Sequence, residues 1–557
     1  MFIPLHIKPY AIKSCLRPDR TDICYQSVLD FLLSHFIHLG QKMCKKSFLS
    51  IALILALAPH HAFANEPDTP KDSPPIKGLL TKADQIAKEV SDLRQLPLKD
   101  PLQRDVRDRE QLRDFLIKAM HEDYTPDYIQ AEADTLKQLG LVPKDLDYEA
   151  LIVDLLTSQI AGFYDPKVKQ LYIMTGLPNA IQAPTMAHEI FHALQDQHYD
   201  LLSLQGPFKP QHQGDFSIAR SSLFEGDATM LMLDYTLYQQ GVLPKPATDS
   251  AAAVTTMAQM PMFTQSMKSF SLNNLMAMES LMGDSSPDEF TDSPVNKAPP
   301  IIKESLLFPY LAGLRFTLLA YEQLGSWDAF YTTLYASAPV STEQILHPER
   351  YFAKDMPVLL DFDADKALPS YTRIYDNVMG EFQLHVALRH HLRLQRPKGA
   401  PFEDVNVDQA VEGWGGDRLV SYKNADNHVI TVHLSSWDSE KDAQEYYQAQ
   451  AGAQKTRYHQ RTSSTQAVQA GSGQATYMIV SEGERTSLLY LEQWGDTVLH
   501  IEGLPAPKTE DLSHTYAPLK SLRDGTYHSL SRQNFQEEMK RVQELKDQHT
   551  PEPSNAP

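Results

Sequence analysis

Cysteine is almost missing from this chain. Its three cysteines, Cys15, Cys24 and Cys44, fall within the first 44 residues. Everything downstream has no thiol and can form no disulfide, so its stability must come from core packing and bound metal. Positive charge is scarce as well. The 51 Lys and Arg face 71 Asp and Glu, no basic run interrupts the acidic surface, and such a surface repels nucleic acid and anionic membrane. Nucleic acid is therefore not expected as a partner. Long hydrophobic runs are absent too: Phe48–Ala58 is too short to cross a bilayer, and the helix expected over Leu306–Leu324 carries Arg315. What remains is an ordinary globular composition, with 42% apolar and 22% charged residues, in a length that one hydrophobic core does not cover.

The short apolar run has its own explanation. From Met43 the sequence passes through Lys45-Lys46, the run Phe48–Ala58 and then Ala62-Phe63-Ala64 before Asn65. These are the basic region, apolar core and small-residue cleavage site of a secretory signal peptide. No cysteine follows the cleavage site to accept a lipid. The expected organisation is an upstream extension over 1–42 from a mis-called start, with a short cytoplasmic or membrane-proximal leader as the rival reading, a signal peptide over 43–64, and a Pro, Asp and Lys-rich linker over 65–77. The mature protein is then expected in the periplasm or medium, with no stable membrane insertion. Removing 1–64 takes away 7 Lys and Arg and 3 Asp and Glu, which leaves 44 against 68 and a net charge of −24.

The most informative stretch is His188-Glu189-Ile190-Phe191-His192. On a helix, histidines four apart stand on one face, near enough to grip one divalent ion, with the glutamate beside them. Ala187, Phe191 and Leu194 form an apolar stripe next to the histidines, and Pro184 and Thr185 fit a helix start. A catalytic zinc site takes three protein ligands and leaves the fourth position to water. His198 stands where the extended pattern HExxHxxGxxH has its last histidine, but Gln195 occupies the glycine position. In an unbroken helix, six residues carry His198 roughly 240° round and about 9 Å along from His192, out of reach. Glu225 is the better third ligand. It sits in a second expected helix with Leu223, Met230, Leu233 and Leu237 on one side, where Gly226 and Ala228 allow close approach to the first. A buried glutamate there needs a cationic partner, and zinc supplies one.

Together, His188–Tyr199 and Glu225-Gly226-Asp227-Ala228-Thr229 resemble the zinc site of the gluzincin metallopeptidases, in particular a little-characterised bacterial group of secreted HExxH proteins. Segments similar to Ser341–Tyr351 and to Gly413-Trp414-Gly415-Gly416-Asp417-Arg418 extend the resemblance over most of the mature chain. It implies a zincin-like catalytic domain with one zinc ion held by His188, His192 and Glu225. It also implies that Glu189 is the general base, taking a proton from water as that water attacks a carbonyl of a peptide or protein substrate. Many gluzincins carry an aspartate four residues after the ligand glutamate to orient a histidine. Thr229 stands there, so Asp227 or Asp196 is expected to take that part. The donor that steadies the oxyanion is open between His347, Tyr310 and Tyr199. The rival from another class is a non-catalytic envelope binding or scaffold protein with a structural metal site, although such a site is normally closed by a fourth protein ligand.

The fold expected is α+β. A mostly helical catalytic domain over 78–395 holds helices from about Gly78 to Leu156 and a β-hairpin over Gln159–Met174 around Asp165-Pro166, which either is the edge that a gluzincin-like fold offers to extended substrate or merely covers the core. Met257, Met260, Met262 and Met267 read as core filler. A composition break at Arg396–Pro401 opens a C-terminal antiparallel α+β domain over 396–530. Its expected strands are Arg418–Tyr422, Val429–Leu434, Thr476–Val480, Ser487–Glu492 and Thr497–Ile501, with a helix over Asp438–Gln450 and with Trp414, Trp437 and Trp494 as core aromatics. The glycine-rich run 413–418 reads as a tight turn into a strand. A helix over Asn534–Lys546 and a Pro-rich disordered tail complete 531–557.

Overall fold

The computed structural model describes residues 74–160, 162–174, 179–209, 212–244, 256–260, 265, 267, 297–394, 405–459, 461–470, 473–482, 485–506 and 516–549. The expected upstream extension, the signal peptide, Met262 and the tail beyond His549 lie outside them. The first helix, α1 (Pro74–Arg94), begins inside the expected linker, with two prolines in its first turn where no N–H is needed. Strand β1 (Gln103–Arg107) follows, then helices α2 (Arg109–Asp123), α3 (Pro126–Gln138) and α4 (Tyr148–Gln159). Their starts are written locally. Asp108 closes a capping box with Gln111, Thr125 caps the Tyr128 N–H ahead of Pro126, and Asp147 caps the Ala150 N–H.

The expected hairpin is present as β2 (Gly162–Asp165) and β3 (Gln170–Met174), antiparallel to each other. Strand β1 joins β3 in parallel, so the order is β1-β3-β2 and β2 lies at an edge. Helix α5 (Asn179–Tyr199) packs against β2 and carries the HExxH residues. Pro184 does not start it but lies in its second turn, where the ring forfeits one backbone hydrogen bond. Helix α6 (Gly214–Gln239) is buried along most of its length and is crossed by α7 (Pro300–Leu324). The crossing is backbone on backbone. A Cβ on Gly226 would lie 2.2 Å from the Gly313 carbonyl carbon, and one on Gly313 would lie 2.1 Å from the Ser222 carbonyl oxygen. Ser326 then caps α8 (Trp327–Leu334). Ala83, Ile86, Ala87, Val90 and Leu93 recur every three or four residues along α1, are buried, and dock that helix on α5 and α6.

The second half is built on one sheet. After β4 (Val358–Asp361) come β5 (Tyr371–Asn377), β6 (Trp414–Asn424), β7 (Val429–Trp437), α9 (Glu440–Arg457), β8 (Thr462–Ala470), β9 (Gly473–Glu482), β10 (Arg485–Trp494) and β11 (Thr497–Pro505). Then follow α10 (Ala517–Ser529), β12 (Ser531–Asn534) and α11 (Phe535–His549). Seven strands pair antiparallel in the order β5-β6-β7-β11-β10-β9-β8. Six of them follow the composition break at Arg396; the seventh, β5, precedes it, so the sheet begins at Tyr371. Alternate residues such as Val420, Tyr422, Val432, Tyr490 and Ile501 face α10 through Leu519 and Leu522. Their neighbours of opposite parity meet α9, with Tyr447 Oη 2.7 Å from Thr476 Oγ1. Trp414 and Trp437 are core residues, but Trp494 is 53% exposed, since it ends β10 at a hairpin tip beside Gly495.

The two halves are sewn together by buried polar contacts. Thr135 of α3 donates to Ser421 Oγ at 2.8 Å, and Lys423 pairs with Asp134 at 2.8 Å. Both segments singled out by resemblance, 341–351 and 413–418, close on the turn at Gly380. Asp417 accepts the N–H groups of Met379 and Gly380 at 3.0 and 2.8 Å, and Thr342 Oγ1 accepts the Phe382 N–H at 3.2 Å. Gly380 has φ 74° and stands where a Cβ would lie 1.7 Å from Asp215 Oδ1. No helix among the described residues is long and apolar enough to cross a membrane.

Candidate metal centre

Helix α5 presents His188 and His192 one turn apart, and α6 presents Glu225 opposite them. Nε2 of His188 lies 3.1 Å from Nε2 of His192 and 3.1 Å from Glu225 Oε2, and His192 Nε2 lies 3.3 Å from that oxygen. Three ligands at about 2.0–2.1 Å from a tetrahedral zinc ion stand about 3.3–3.4 Å apart, so this triangle is close to the required size. The donor set of two imidazole nitrogens and one carboxylate oxygen also suits zinc. Burial pushes the Glu225 carboxyl up, but the charge of His192 and hydrogen bonds from both imidazoles outweigh it and hold the group well below the usual carboxylate range. Burial would likewise lower His192, yet Glu225 lifts it to about 9. The pocket thus favours a positive charge among these three side chains.

Glu189 stands apart from the triangle. Its Oε2 accepts the Tyr164 N–H at 3.1 Å, a group on edge strand β2, and Gly162 of the same strand leaves room for its side chain. Burial pushes the Glu189 carboxyl up; the two imidazoles oppose this and Glu225 adds to it. Of the three hydroxyl or imidazole donors left open by the sequence, Tyr310 of α7 stacks on His188, with ring centroids 6.0 Å apart and 24° between planes. It is 39% exposed, and the charge of Glu225 together with burial raises its phenol well above the ordinary value. His347 is instead bound to Glu381 at 2.9 Å, and Tyr199 packs on Tyr335 with centroids 4.3 Å apart. His198 is tied to the Pro97 carbonyl at 2.8 Å.

Neither aspartate proposed to orient a histidine touches one. Asp196 accepts from Tyr164 Oη at 2.6 Å and pairs with Lys169 at 2.7 Å, which pins the β2–β3 hairpin to α5. The side chain on His192 Nδ1 is Gln195, at 2.7 Å. Gln195 also reaches the Phe224 carbonyl at 3.2 Å and Tyr335 Oη at 2.7 Å, and Tyr335 in turn donates to Asp227 Oδ2 at 2.8 Å. Behind Asp227 lies the buried Arg94 of α1, with Nε 3.5 Å from Asp227 and Nη1 2.8 Å from Asp234, its guanidinium 4.0 Å over the Trp327 ring. The sequence carried a signal for Gln195, since a residue three after His192 shares its helix face. It carried none for Arg94 or Tyr335, which arrive from distant elements.

The sequence model of a family described as Domain of unknown function (DUF8575) matches residues 370–515, from one residue before β5 to beyond Pro505, the last residue of β11. No curated protein and no solved structure matches the chain.

Proposed function

We propose that this chain is a zinc metallopeptidase of gluzincin type, exported to the periplasm or medium, that hydrolyses peptide bonds of a peptide or protein substrate. The observation that carries this reading is the convergence of His188, His192 and Glu225, whose ligand atoms all lie within 4.8 Å of one another while Glu189 sits beside them outside the group. A zinc ion held there would acidify water and polarise the substrate carbonyl. Glu189 takes the proton as water attacks and hands it to the departing amine; its raised pKa and the Tyr164 N–H that holds it suit that exchange. Tyr310, in contact with His188 and partly open to solvent, donates to the oxyanion. Strand β2, at the edge of its sheet, is the expected place for main-chain pairing with extended substrate.

The test is hydrolysis of a quenched casein substrate by the purified chain, with and without chelator, alongside Glu189→Gln and a zinc assay. Expected are one zinc per chain, activity lost on chelation, and a Glu189→Gln protein that keeps its zinc but is at least about a hundredfold slower. Chelator-insensitive hydrolysis, or undiminished activity in Glu189→Gln, would remove the assignment. Export is checked by N-terminal sequencing of the protein from the periplasm or medium, with Asn65 as the expected first residue.

A further inference from the structure

The geometry points to Gln195 as the positioning residue that fixes which nitrogen of His192 carries its proton. This inference rests on the metal site just proposed and adds to it a residue that touches no substrate. Gln195 is fully buried, so each of its amide atoms must find a partner inside the protein. The Phe224 carbonyl, 3.2 Å away, can only accept, so the amide nitrogen faces it. The second amide hydrogen goes to Tyr335 Oη at 2.7 Å, and the Tyr335 hydroxyl proton goes on to Asp227 Oδ2 at 2.8 Å. Only the carbonyl oxygen of Gln195 is left for His192, 2.7 Å from Nδ1, and that oxygen can only accept. Nδ1 of His192 therefore bears the hydrogen. In the neutral ring, the form that can bind a cation, Nε2 is then left bare, with its lone pair aimed at the point shared with His188 and Glu225.

The same amide does a second job. Gln195 belongs to α5 and Phe224 to α6, immediately ahead of Glu225, so one side chain sets both the tautomer of a ligand on one helix and the register of the ligand on the other. A peptide carbonyl does not titrate or turn over, which makes Phe224 a fixed reference for the amide. Without Gln195 the His192 ring is free to place its hydrogen on Nε2, where it blocks a cation.

The experiment uses the full chain and zinc itself, titrated against a competing chelator, with cobalt spectra and thermal melts recorded on parent and Gln195→Leu. Histidine nitrogen NMR of the metal-free parent, at a pH alkaline enough to neutralise the His192 ring and with His192 identified by the signal missing in His192→Asn, reads the tautomer directly and requires no Gln195 variant to fold. Expected are the Nδ1–H tautomer in the parent, zinc bound about 10–100-fold more weakly by Gln195→Leu, and an altered cobalt spectrum in that variant. Gln195→Glu, which restores the acceptor for Nδ1 but brings no hydrogen for the Phe224 carbonyl, should recover only part of the affinity. A parent that binds zinc but shows Nε2–H at His192, or a folded Gln195→Leu that binds zinc as tightly as the parent, overturns this inference and leaves the metal site standing. A parent that binds no zinc removes the site and the inference together.

Discussion

Side chains of the same type end in different employment here, and the contacts decide which. His198 and His192 lie six residues apart on one helix, yet one faces the carboxylate of Glu225 and the other the carbonyl of Pro97. Removing the Glu225 carboxylate takes away one of three converging atoms, so Glu225→Ala should lower zinc content from about one per chain to near zero. His198→Ala should leave it unchanged, both read by elemental analysis of the purified protein; the opposite pattern would transfer the third-ligand role to His198. This much could be read in advance, because helical spacing alone put His198 out of reach. The partners of the ligands could not. Asp227 and Asp196 were chemically sensible choices, but a carboxylate near in sequence was outcompeted by an amide on the histidine's own face, and Asp227 was drawn to Arg94 and Tyr335.

At the level of elements, the crossing of α6 and α7 brings Tyr310 to the histidines. Replacing Gly313 by Ala would ordinarily stabilise a helix by roughly 0.5–1 kcal/mol. Here the new Cβ would sit 2.1 Å from a backbone oxygen that cannot swing aside, and overpacking of that kind costs about 1–3 kcal/mol. The clash wins, and α7 must move outward, carrying Tyr310 away from His188. Gly313→Ala should therefore melt at lower temperature and lose turnover beyond what its stability loss explains, while zinc content, set by α5 and α6, stays near the parent's. The helices and hairpin around this crossing were legible because their apolar spacing is local. Strands β1, β5 and β8 were not, since β1 is short and charged, β8 is polar, and β5 is paired across a long connection to β6. Nothing in Gln103–Arg107 announces that it will lie beside Gln170–Met174.

At the scale of the whole molecule, burial raises carboxyls that the interior encloses. Glu343 is buried between Arg350, 3.4 Å away, and the Glu381 that binds His347. Burial first, then the Glu381 charge, raise its carboxyl to about 10 against the opposing pull of Arg350. A carboxyl raised on folding contributes its stability fully below its unfolded value, near about 4.3, and loses it as pH climbs through the folded one. The parent should thus lose stability relative to Glu343→Gln between about pH 5 and pH 9, in denaturation midpoints measured across that range; parallel curves would place the group's ionisation elsewhere. The α+β class and the sheet-with-helix plan of the second half were visible in the pattern of apolar residues, but the point where the sheet begins was not, because β5 precedes the composition break in the sequence.

Helix α1 ends at Arg94, and the stretch just after it is laced to the end of α5, where Gln197 takes the Lys99 N–H at 2.9 Å and its carbonyl takes Lys99 Nζ at 3.0 Å. A trypsin cut at that exposed lysine would sever a tether, not a domain. Once loose, α1 can withdraw Arg94 from beneath Asp227 and Asp234, so nicking and metal loss should advance at the same rate, and saturating zinc should protect Lys99 from the protease.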